Sequence, residues 1–284
     1  MGVSGWSYDG WKGRFYPPDL PARRRLEFVA ESFSSVEING SFYSLQKPSS
    51  YLAWHDGTPR DFLFAVKGSR FISHNLKLGN ATTALANFFA SGVLRLGRKL
   101  GPILWQLPRR LRFDRHRVTG FFDLLPRDTH AAAQLARRHD GRVPEAWTEA
   151  EGRRRIRYAI EPRHESFFGP EFASLARRAG IAIAFADSGD WPYTEELTAR
   201  FVYLRLHGSP RTYASRYSRD EIERWADRVE AWREGGEPPD ARRLTDRSPP
   251  RGARRDVYVY FDNDYHAYAP ANALELAERL KRGG

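Results

Sequence analysis

The sequence predicts a single-domain (β/α)8 barrel over residues 1–284, because eight short apolar runs alternate with segments long enough for helices. The length is close to the ~250 residues typical of this fold. Runs that are apolar on both faces are typical of parallel strands covered by helices. The predicted strands are 1–5, 35–38, 62–66, 101–107, 157–160, 181–186, 201–206 and 257–261.

The segments between these runs carry helical spacing. Ile222, Trp225, Val229 and Trp232 form one apolar stripe, and Ser218, with Glu221 three residues later, predicts the start of that helix. Only residues 187–200 separate the sixth run from the seventh. Since a parallel crossover needs about a dozen residues, we expect a shortened or missing helix there.

Two connections are long. Residues 126–155 follow the fourth strand and include an Ala-rich helix at 130–138. Residues 235–256 precede the eighth strand, and their Pro, Gly and Arg content predicts a mobile loop.

The net charge of +11 raises the question of nucleic-acid binding. Only six of the 46 basic residues are lysines, so arginine is the usual cation throughout, which indicates a compositional bias. Much of the excess lies in 153–155 and 242–255, which we interpret as solvated loops.

Cysteine is absent, which excludes disulfides, thiolate nucleophiles and cysteine-based zinc sites. No apolar stretch approaches the ~18 residues of a membrane helix. Met1 leads directly into the first predicted strand and leaves no room for a signal peptide. We therefore expect a cytoplasmic protein with no membrane partner.

In such barrels the chemistry lies at the carboxyl ends of the strands, where eight loops converge. Every predicted strand delivers polar or aromatic side chains to that rim, which predicts a pocket. The candidate residues are Tyr8, Trp11, Glu37, Asn39, Tyr43, Lys67, His74, Gln106, Glu161, Arg163, His164, Asp187, Arg205, His207, Asn263 and Asp264.

Seven segments together resemble the YecE-like family, which is catalogued as a domain of unknown function. The resemblance implies a barrel of this class without a settled substrate. The chain departs from the family pattern at Ser73, where Thr is usual, at Phe167, where Trp is usual, and at Asp262, where Asn is common; the last change adds a negative charge and removes a donor. The segments are GWSYDGWKGRFYP (5–17), VEINGSFY (36–43), FAVKGSRFISH (64–74), LGPILWQLP (100–108), AIEPRHESF (159–167), YLRLHG (203–208) and VYFDND (259–264).

Lys67 is the sharpest catalytic candidate, since a lysine at a strand end stands out in an arginine-rich chain. Burial beside cations such as Arg70 would lower its pKa, and the neutral amine would act as a base or a Schiff-base nucleophile. The alternative is a structural ion pair with Glu37 or Glu161.

Glu161, Asp187 and Asp264 come from separate strands and would form an acid and base pair if they met across the mouth. Alternatively, Arg163 and Arg205 hold them as permanent anions. These arginines would equally clamp a carboxylate or phosphate of a ligand.

His74, His164 and His207, with the nearby carboxylates, offer ligand types for a divalent metal. The sequence lacks a tight spacing such as His-Glu-x-x-His. A metal is therefore possible but not favoured, and no cofactor is predicted. Aromatic side chains would stack on a sugar ring or a base; these are Trp6, Tyr8, Trp11, Phe42, Tyr43 and Phe167.

These features favour an enzyme that acts on a small anionic or polyhydroxylated metabolite by acid/base chemistry. Arg163 and Arg205 would hold the anion, and Lys67 with Glu161 or Asp187 would transfer protons. The alternatives are a nucleic-acid-binding or nuclease-like barrel that uses Arg70, Arg163 and 242–255, and a non-catalytic scaffold.

Overall fold

The computed structural model describes residues 1–250 and 254–282 and contains one parallel sheet that curls into a nearly closed barrel. Its strands follow the order β6-β5-β4-β3-β2-β1-β9-β8-β7, and all their pairings are parallel. The predicted barrel is confirmed. The strands are β1 Gly2–Ser4, β2 Ser35–Ile38, β3 Leu63–Lys67, β4 Leu100–Gln106, β5 Tyr158–Glu161, β6 Ala182–Ile183, β7 Phe185–Asp187, β8 Phe201–Leu206 and β9 Asp256–Phe261.

The predicted sixth strand is broken into β6 and β7, which lie at the two edges of the sheet order. β6 pairs with β5, whereas β7 pairs with β8. Thr198 explains the break: its hydroxyl accepts the N–H of Ile183 at 3.0 Å and donates to the carbonyl of Ile181 at 2.7 Å, replacing a neighbouring strand.

Helices cover the outside of the barrel. Residues 188–200 contain no helix, as their short length predicts. Ser218 and Glu221 form the predicted capping box at the start of α8. The helices are α1 Arg25–Ser32, α2 Gly40–Tyr43, α3 Pro48–Asp56, α4 Thr82–Ala90, α5 Arg115–Leu124, α6 Thr129–Ala136, α7 Pro170–Ala179, α8 Arg219–Arg233 and α9 Tyr268–Arg282. Within the described ranges, no helix combines the length and apolarity needed to cross a membrane.

The segment predicted as a mobile loop is anchored along much of its described length. Glu196 accepts the N–H groups of Leu244 and Thr245 at 2.8 and 3.1 Å. The carbonyl of Arg242 accepts the N–H of Glu195 at 2.8 Å. Residues 251–253 of this prediction lie outside the described residues.

The barrel interior is built from alternate strand residues, because successive side chains of a strand point to opposite faces. Small and aromatic residues such as Ala65, Ala159, Tyr203 and Tyr260 fill its lower part. Two residues further along each strand, the same inward face carries polar groups. This upper layer consists of Glu37, Lys67, Gln106, Glu161, Arg205 and Asp262, all of which are buried.

Candidate active site

Arg205 is the centre of the upper layer and is fully buried. Its Nε and Nη2 donate to the two carboxylate oxygens of Glu37 at 3.1 and 2.7 Å. Nη1 donates to Glu161 at 2.8 Å, and Nη2 donates to Asp262 at 2.9 Å. Three carboxylates from three different strands therefore share one guanidinium, and such charge-assisted contacts are the strong class of hydrogen bond.

The neighbours of Arg205 complete this central network. The Tyr203 hydroxyl donates to Glu37 at 2.6 Å, and the Ser4 hydroxyl donates to the same carboxylate. His207 places Nδ1 3.0 Å from Asp262. Together with Arg205 and its three carboxylates, these side chains form what we call the central network.

The network fixes the ionisation of its carboxylates. Burial opposes the charge of Glu161, but Arg163 and Arg205 hold the pKa of this carboxyl well below its usual range. Asp262 behaves alike: burial opposes ionisation, and Arg205 with His207 still lowers its pKa. Both groups are therefore anions at neutral pH, as in the permanent-anion alternative.

This geometry corrects the prediction that Arg163 and Arg205 clamp a ligand. Arg205 has no exposed surface, and its N–H groups already bind protein oxygens. Arg163 donates from Nε to Glu161 at 2.7 Å, and its guanidinium lies 4.0 Å from the ring centre of Trp191. Acids of the barrel mouth bind both arginines: Glu161, two residues earlier in the chain, binds Arg163, and acids that reach across the barrel interior bind Arg205.

Lys67 differs from every other charged residue of the upper layer. It is only 7% exposed, yet within the part of the chain that the structure describes its ammonium forms no hydrogen bond or ion pair. The ammonium lies 4.5 Å above the ring centre of Phe42. Burial, and then the charge of Arg205, lower the pKa of Lys67 to about 8. The predicted alternative of a structural pair with Glu37 or Glu161 is wrong.

Two further side chains join Lys67 in what we call the cationic corner, which consists of Lys67, Arg70 and His74. Ser73 lies 2.9 Å from Nδ1 of His74, and Phe42 packs edge-on against the ring at 5.2 Å. Burial, and then Arg70, Arg163 and Lys67, lower the pKa of His74 to about 4. The neutral imidazole therefore lies among cations, one of which, Arg70, is exposed.

A fourth acid, Asp264, lies beside the network without joining it. Its Oδ1 is buried and has no hydrogen-bond partner among the described residues. Burial and the nearby Asp262 raise the pKa of Asp264 well above its usual range. Trp11 donates to its backbone carbonyl at 3.3 Å, so its position is held while its Oδ1 has no partner among the described residues.

Asn39 and Tyr8 hold the first strand at the mouth. Nδ2 of Asn39 donates to the Ser4 hydroxyl at 3.0 Å, and its Oδ1 is buried without a partner among the described residues. The Tyr8 hydroxyl donates to the carbonyl of Ser4 at 2.7 Å. Both predicted site residues therefore lie against the central network.

Two loops close the mouth over His207. Trp191, from the helix-free crossover, packs edge-on against the imidazole at 5.1 Å, and Tyr213 does so at 5.5 Å. Asn263 supports the second loop, because its Nδ2 donates to the carbonyl of Ser215 at 2.9 Å and to Asn272 at 3.1 Å. Asn263 is thus a structural residue rather than a lining one.

The structure does not form the predicted pair of Glu161 and Asp187. Asp187 accepts a hydrogen bond from the Tyr217 hydroxyl at 2.6 Å, and its carbonyl accepts the N–H of His207 at 3.0 Å. Burial raises its pKa. Because β7 pairs with β8 and not with β5, Asp187 serves the loop that follows β8.

The remaining predicted residues have separate positions. His164 accepts the N–H of Ser166 at 3.2 Å and so caps a helical turn. Tyr43 is 73% exposed, Gln106 is buried in the upper layer, and Phe167 belongs to the core. Phe167 therefore does not stack on a ligand as predicted.

Sequence reasoning missed three residues, Ser4, Tyr203 and Trp191, and it named Asp262 without giving it a role. Strand alternation contains the signal for two of these four, since Tyr203 lies two residues before Arg205 and Asp262 lies two residues after Tyr260. Ser4 and Trp191 carry no such signal. Their roles depend on which strands and loops become neighbours.

No group of three or more His, Asp or Glu side chains arranged to hold a metal occurs in residues 1–250 or 254–282. The three candidate histidines take different places. His207 lies in the central network, His74 lies in the cationic corner, and His164 caps a turn.

The chain matches one protein family and has relatives in bacteria. The model of a family described as "Protein of unknown function DUF72" matches residues 1–284. A Bacillus subtilis relative, UPF0759 protein YunF, is 21% identical over 99% of this chain and 94% of its own length. UPF0759 protein YecE of Escherichia coli strain K12 is 30% identical over 38% of this chain and 37% of its own.

Solved structures share the fold. The crystal structure of a DUF72 family protein from Thermotoga maritima MSB8 superposes with a TM-score of 0.73 at 24% identity, covering 99% of this chain and 98% of that one. A DUF72 family protein from Enterococcus faecalis V583 gives a TM-score of 0.69 at 15% identity over 99% and 94% of the two chains.

Proposed function

The chain belongs to the DUF72 family, whose description names no activity, and we propose that it is a cytoplasmic enzyme whose barrel mouth transfers a proton to or from a small anionic or polyhydroxylated metabolite. The metabolite carries a carboxylate or phosphate. Lys67 is the proton acceptor, and the cationic corner binds the anionic group.

The observation that carries the proposal is the unpaired, buried amine of Lys67. Every acidic group of the central network is already bound to a cation or a hydroxyl, whereas the Lys67 ammonium lies over the face of Phe42 and has no hydrogen bond or ion pair among the described residues. With a pKa lowered to about 8, a useful fraction of neutral amine exists near physiological pH, which is the condition for general base catalysis.

The cationic corner supports an anionic substrate. Arg70 is exposed and has no carboxylate partner among the described residues, and the neutral His74 can donate an N–H without adding charge. An anion bound here would lie beside Lys67 and leave Arg205 undisturbed. Asp264, whose pKa is raised by burial and by Asp262, supports a protonated acid at the same mouth.

The central network then has a positioning role. It fixes the upper ends of the strands that carry Glu37, Glu161 and Arg205. Its arginine lowers the pKa of Lys67, although its three carboxylates act in the opposite direction. In this proposal Glu161 acts on Arg163 and Arg205 and does not itself exchange protons with the substrate.

The first test is ligand discovery by thermal stability. A panel of phosphosugars and sugar acids is added to the wild type, to Arg70→Gln and to the control Arg23→Gln, an exposed arginine outside the cationic corner. A ligand of the native state raises the melting temperature by mass action. We expect the shift in the wild type and in Arg23→Gln, and its loss in Arg70→Gln.

The second test follows the proton. The ligand found is incubated with enzyme in D₂O, and loss of a C–H signal is monitored by proton NMR. Lys67→Met retains Arg70 and His74 and should bind the ligand more weakly, but at saturating ligand it should lower the exchange rate by at least about 100-fold, the usual size of general base catalysis. Unchanged exchange in Lys67→Met, or a bound ligand whose C–H signals never exchange, contradicts the proposal.

The geometry does not favour the nucleic-acid alternative. Arg163 is bound to Glu161, and Arg255 is buried and donates to the carbonyls of Gly236 and Pro250 at 2.8 and 3.2 Å. Two of the groups assigned to phosphate contacts therefore bind protein oxygens instead.

A further inference from the structure

A second cationic feature lies at the opposite end of the barrel. A groove with a volume of about 630 Å³ opens at the amino-terminal ends of β5 and β8, and residues 155–157, 177–180, 198–201, Ser248 and Pro250 line it. Pockets for small ligands typically measure roughly 300–1,000 Å³. The groove is therefore large enough for a metabolite-sized ligand.

Its lining is unusually basic. It includes five arginines and no acidic side chain. Two of them have carboxylate partners nearby: Arg157 pairs with Asp256, and Arg177 pairs with Glu196, both at 2.5 Å. The other three are Arg155, Arg178 and Arg200, which have no carboxylate partner within the described ranges.

Local structure supports the positions of these free arginines. Arg178 donates to the Ser174 hydroxyl at 2.8 Å. Gly180 ends α7 with a left-handed backbone, and a Cβ at this position would lie 3.0 Å from Nη2 of Arg155. The glycine therefore provides the space in which the Arg155 guanidinium lies against the groove wall.

We propose that this groove binds a compact ligand that carries two or more phosphate groups. Each guanidinium can donate two parallel hydrogen bonds to the oxygens of one phosphate group. Several arginines in one groove can therefore bind several adjacent phosphate groups. Arg157 and Arg177 are already paired, so the uncompensated charge comes from three arginines.

The charge pattern around the groove explains why the ligand is compact. A neighbouring groove on the same end of the barrel is lined by both signs, with Glu31 and Asp61 beside Arg233 and Lys281. Among the described residues, the basic surface therefore ends on the side of that neighbouring groove. A nucleic-acid strand requires a positive track that continues along its backbone, whereas a short polyphosphate needs only the groove.

Isothermal titration calorimetry with inorganic tripolyphosphate tests this site at about 0.15 M ionic strength, where screening suppresses weak long-range attraction. Arg155→Gln/Arg200→Gln is compared with Arg14→Gln/Arg23→Gln, two exposed arginines outside the groove. We expect at least about a tenfold larger Kd in the groove variant, because the loss of even one charge-assisted contact weakens binding by about this factor. The control variant should bind like the wild type.

Further controls distinguish binding in this groove from binding at the barrel mouth and from nonspecific attraction to basic residues. Lys67→Met should bind tripolyphosphate like the wild type, because Lys67 lies at the other end of the barrel. Failure of the proton-transfer proposal would leave this result unchanged. Absence of tripolyphosphate binding, equal weakening in both double variants, or tighter binding of a ten-nucleotide single strand than of tripolyphosphate would each overturn the proposal.

Discussion

The central network and the cationic corner are neighbours at the barrel mouth, yet they handle buried charge in opposite ways. In the network, Arg205 is surrounded by Glu37, Glu161 and Asp262, and each charge has a partner within 3.1 Å. In the corner, Lys67 is nearly as buried and has no partner among the described residues. Its ammonium lies over the ring of Phe42, and although the charges of Arg205 and of the three network carboxylates act on it, none of them pairs with it.

The difference indicates which buried charges stabilise the fold and which can take part in proton transfer. A change of protonation in a fully paired buried group costs much free energy, because it leaves the partner as an unpaired charge away from water. An unpaired ammonium destabilises the folded state when it is buried. Its pKa is therefore lowered, and it loses its proton more readily than an ordinary lysine. We infer that the network holds the mouth together and that the corner is available to a ligand.

Arg205→Met should have the largest effect on stability. Glu37, Glu161 and Asp262 would lose their shared cation, and breaking a buried ion pair typically costs about 3–5 kcal/mol. Urea denaturation followed by circular dichroism measures the change. If the variant does not fold, Glu161→Gln, which retains the shape of the side chain, should still lose stability clearly. Wild-type stability in both variants would contradict the role of the network.

Lys67→Met should change the pH dependence of stability. The folded-state pKa of Lys67 is lowered to about 8, so the unfolded chain binds more protons between this value and about 10.4, and wild-type stability rises across that window. The variant lacks this contribution. Relative to the wild type, the variant should therefore be favoured below pH 8, and its advantage should shrink by up to about 3 kcal/mol by pH 10.4. A constant difference would mean that Lys67 is paired or solvated.

Asp264→Asn sharpens the comparison from the acidic side. The pKa of Asp264 is raised in the folded state, so the folded protein binds more protons above about pH 4, and wild-type stability falls as pH increases. The amide does not titrate in this range. The stability of the variant relative to the wild type should therefore increase above pH 4, with a slope of up to about 1.4 kcal/mol per pH unit. Parallel pH profiles would show that the carboxyl group is solvated.

Tyr203→Phe should have the smallest effect. It removes one donor to Glu37, at 2.6 Å, but Arg205 and Ser4 continue to donate to that carboxylate. We expect a loss of about 1.5–3 kcal/mol in thermal or urea unfolding, typical of one hydrogen bond to a charged group. A loss as large as that of Arg205→Met would mean that the network is not centred on the arginine.

Local patterns in the sequence predicted the barrel well. Apolar runs located the strands, the short 187–200 segment predicted a crossover with a shortened or missing helix, and Ser218 with Glu221 predicted the cap of α8. These features depend on residues close together in the chain. The break between β6 and β7 could not be predicted in this way, because it depends on Thr198 reaching back to Ile181 and Ile183.

The candidate site was predicted in part. The rule that barrel chemistry lies at strand ends selected Glu37, Lys67, Glu161 and Arg205, and all four do meet in the upper layer. Their partners were assigned less well. Asp187 was grouped with Glu161 but bonds to Tyr217, and Arg205 was expected to hold a ligand but binds three carboxylates.

By itself the sequence determined the alternation of strands and helices and the residue types that reach the rim, because both follow from local periodicity and chain order. Tertiary structure alone decided which charges are paired. Pairing depends on distances of a few ångströms between side chains that lie far apart in the chain, such as Arg205 and Glu37. The same packing left Lys67 without a partner, and that single absence among the described residues turns an ordinary lysine into the candidate base.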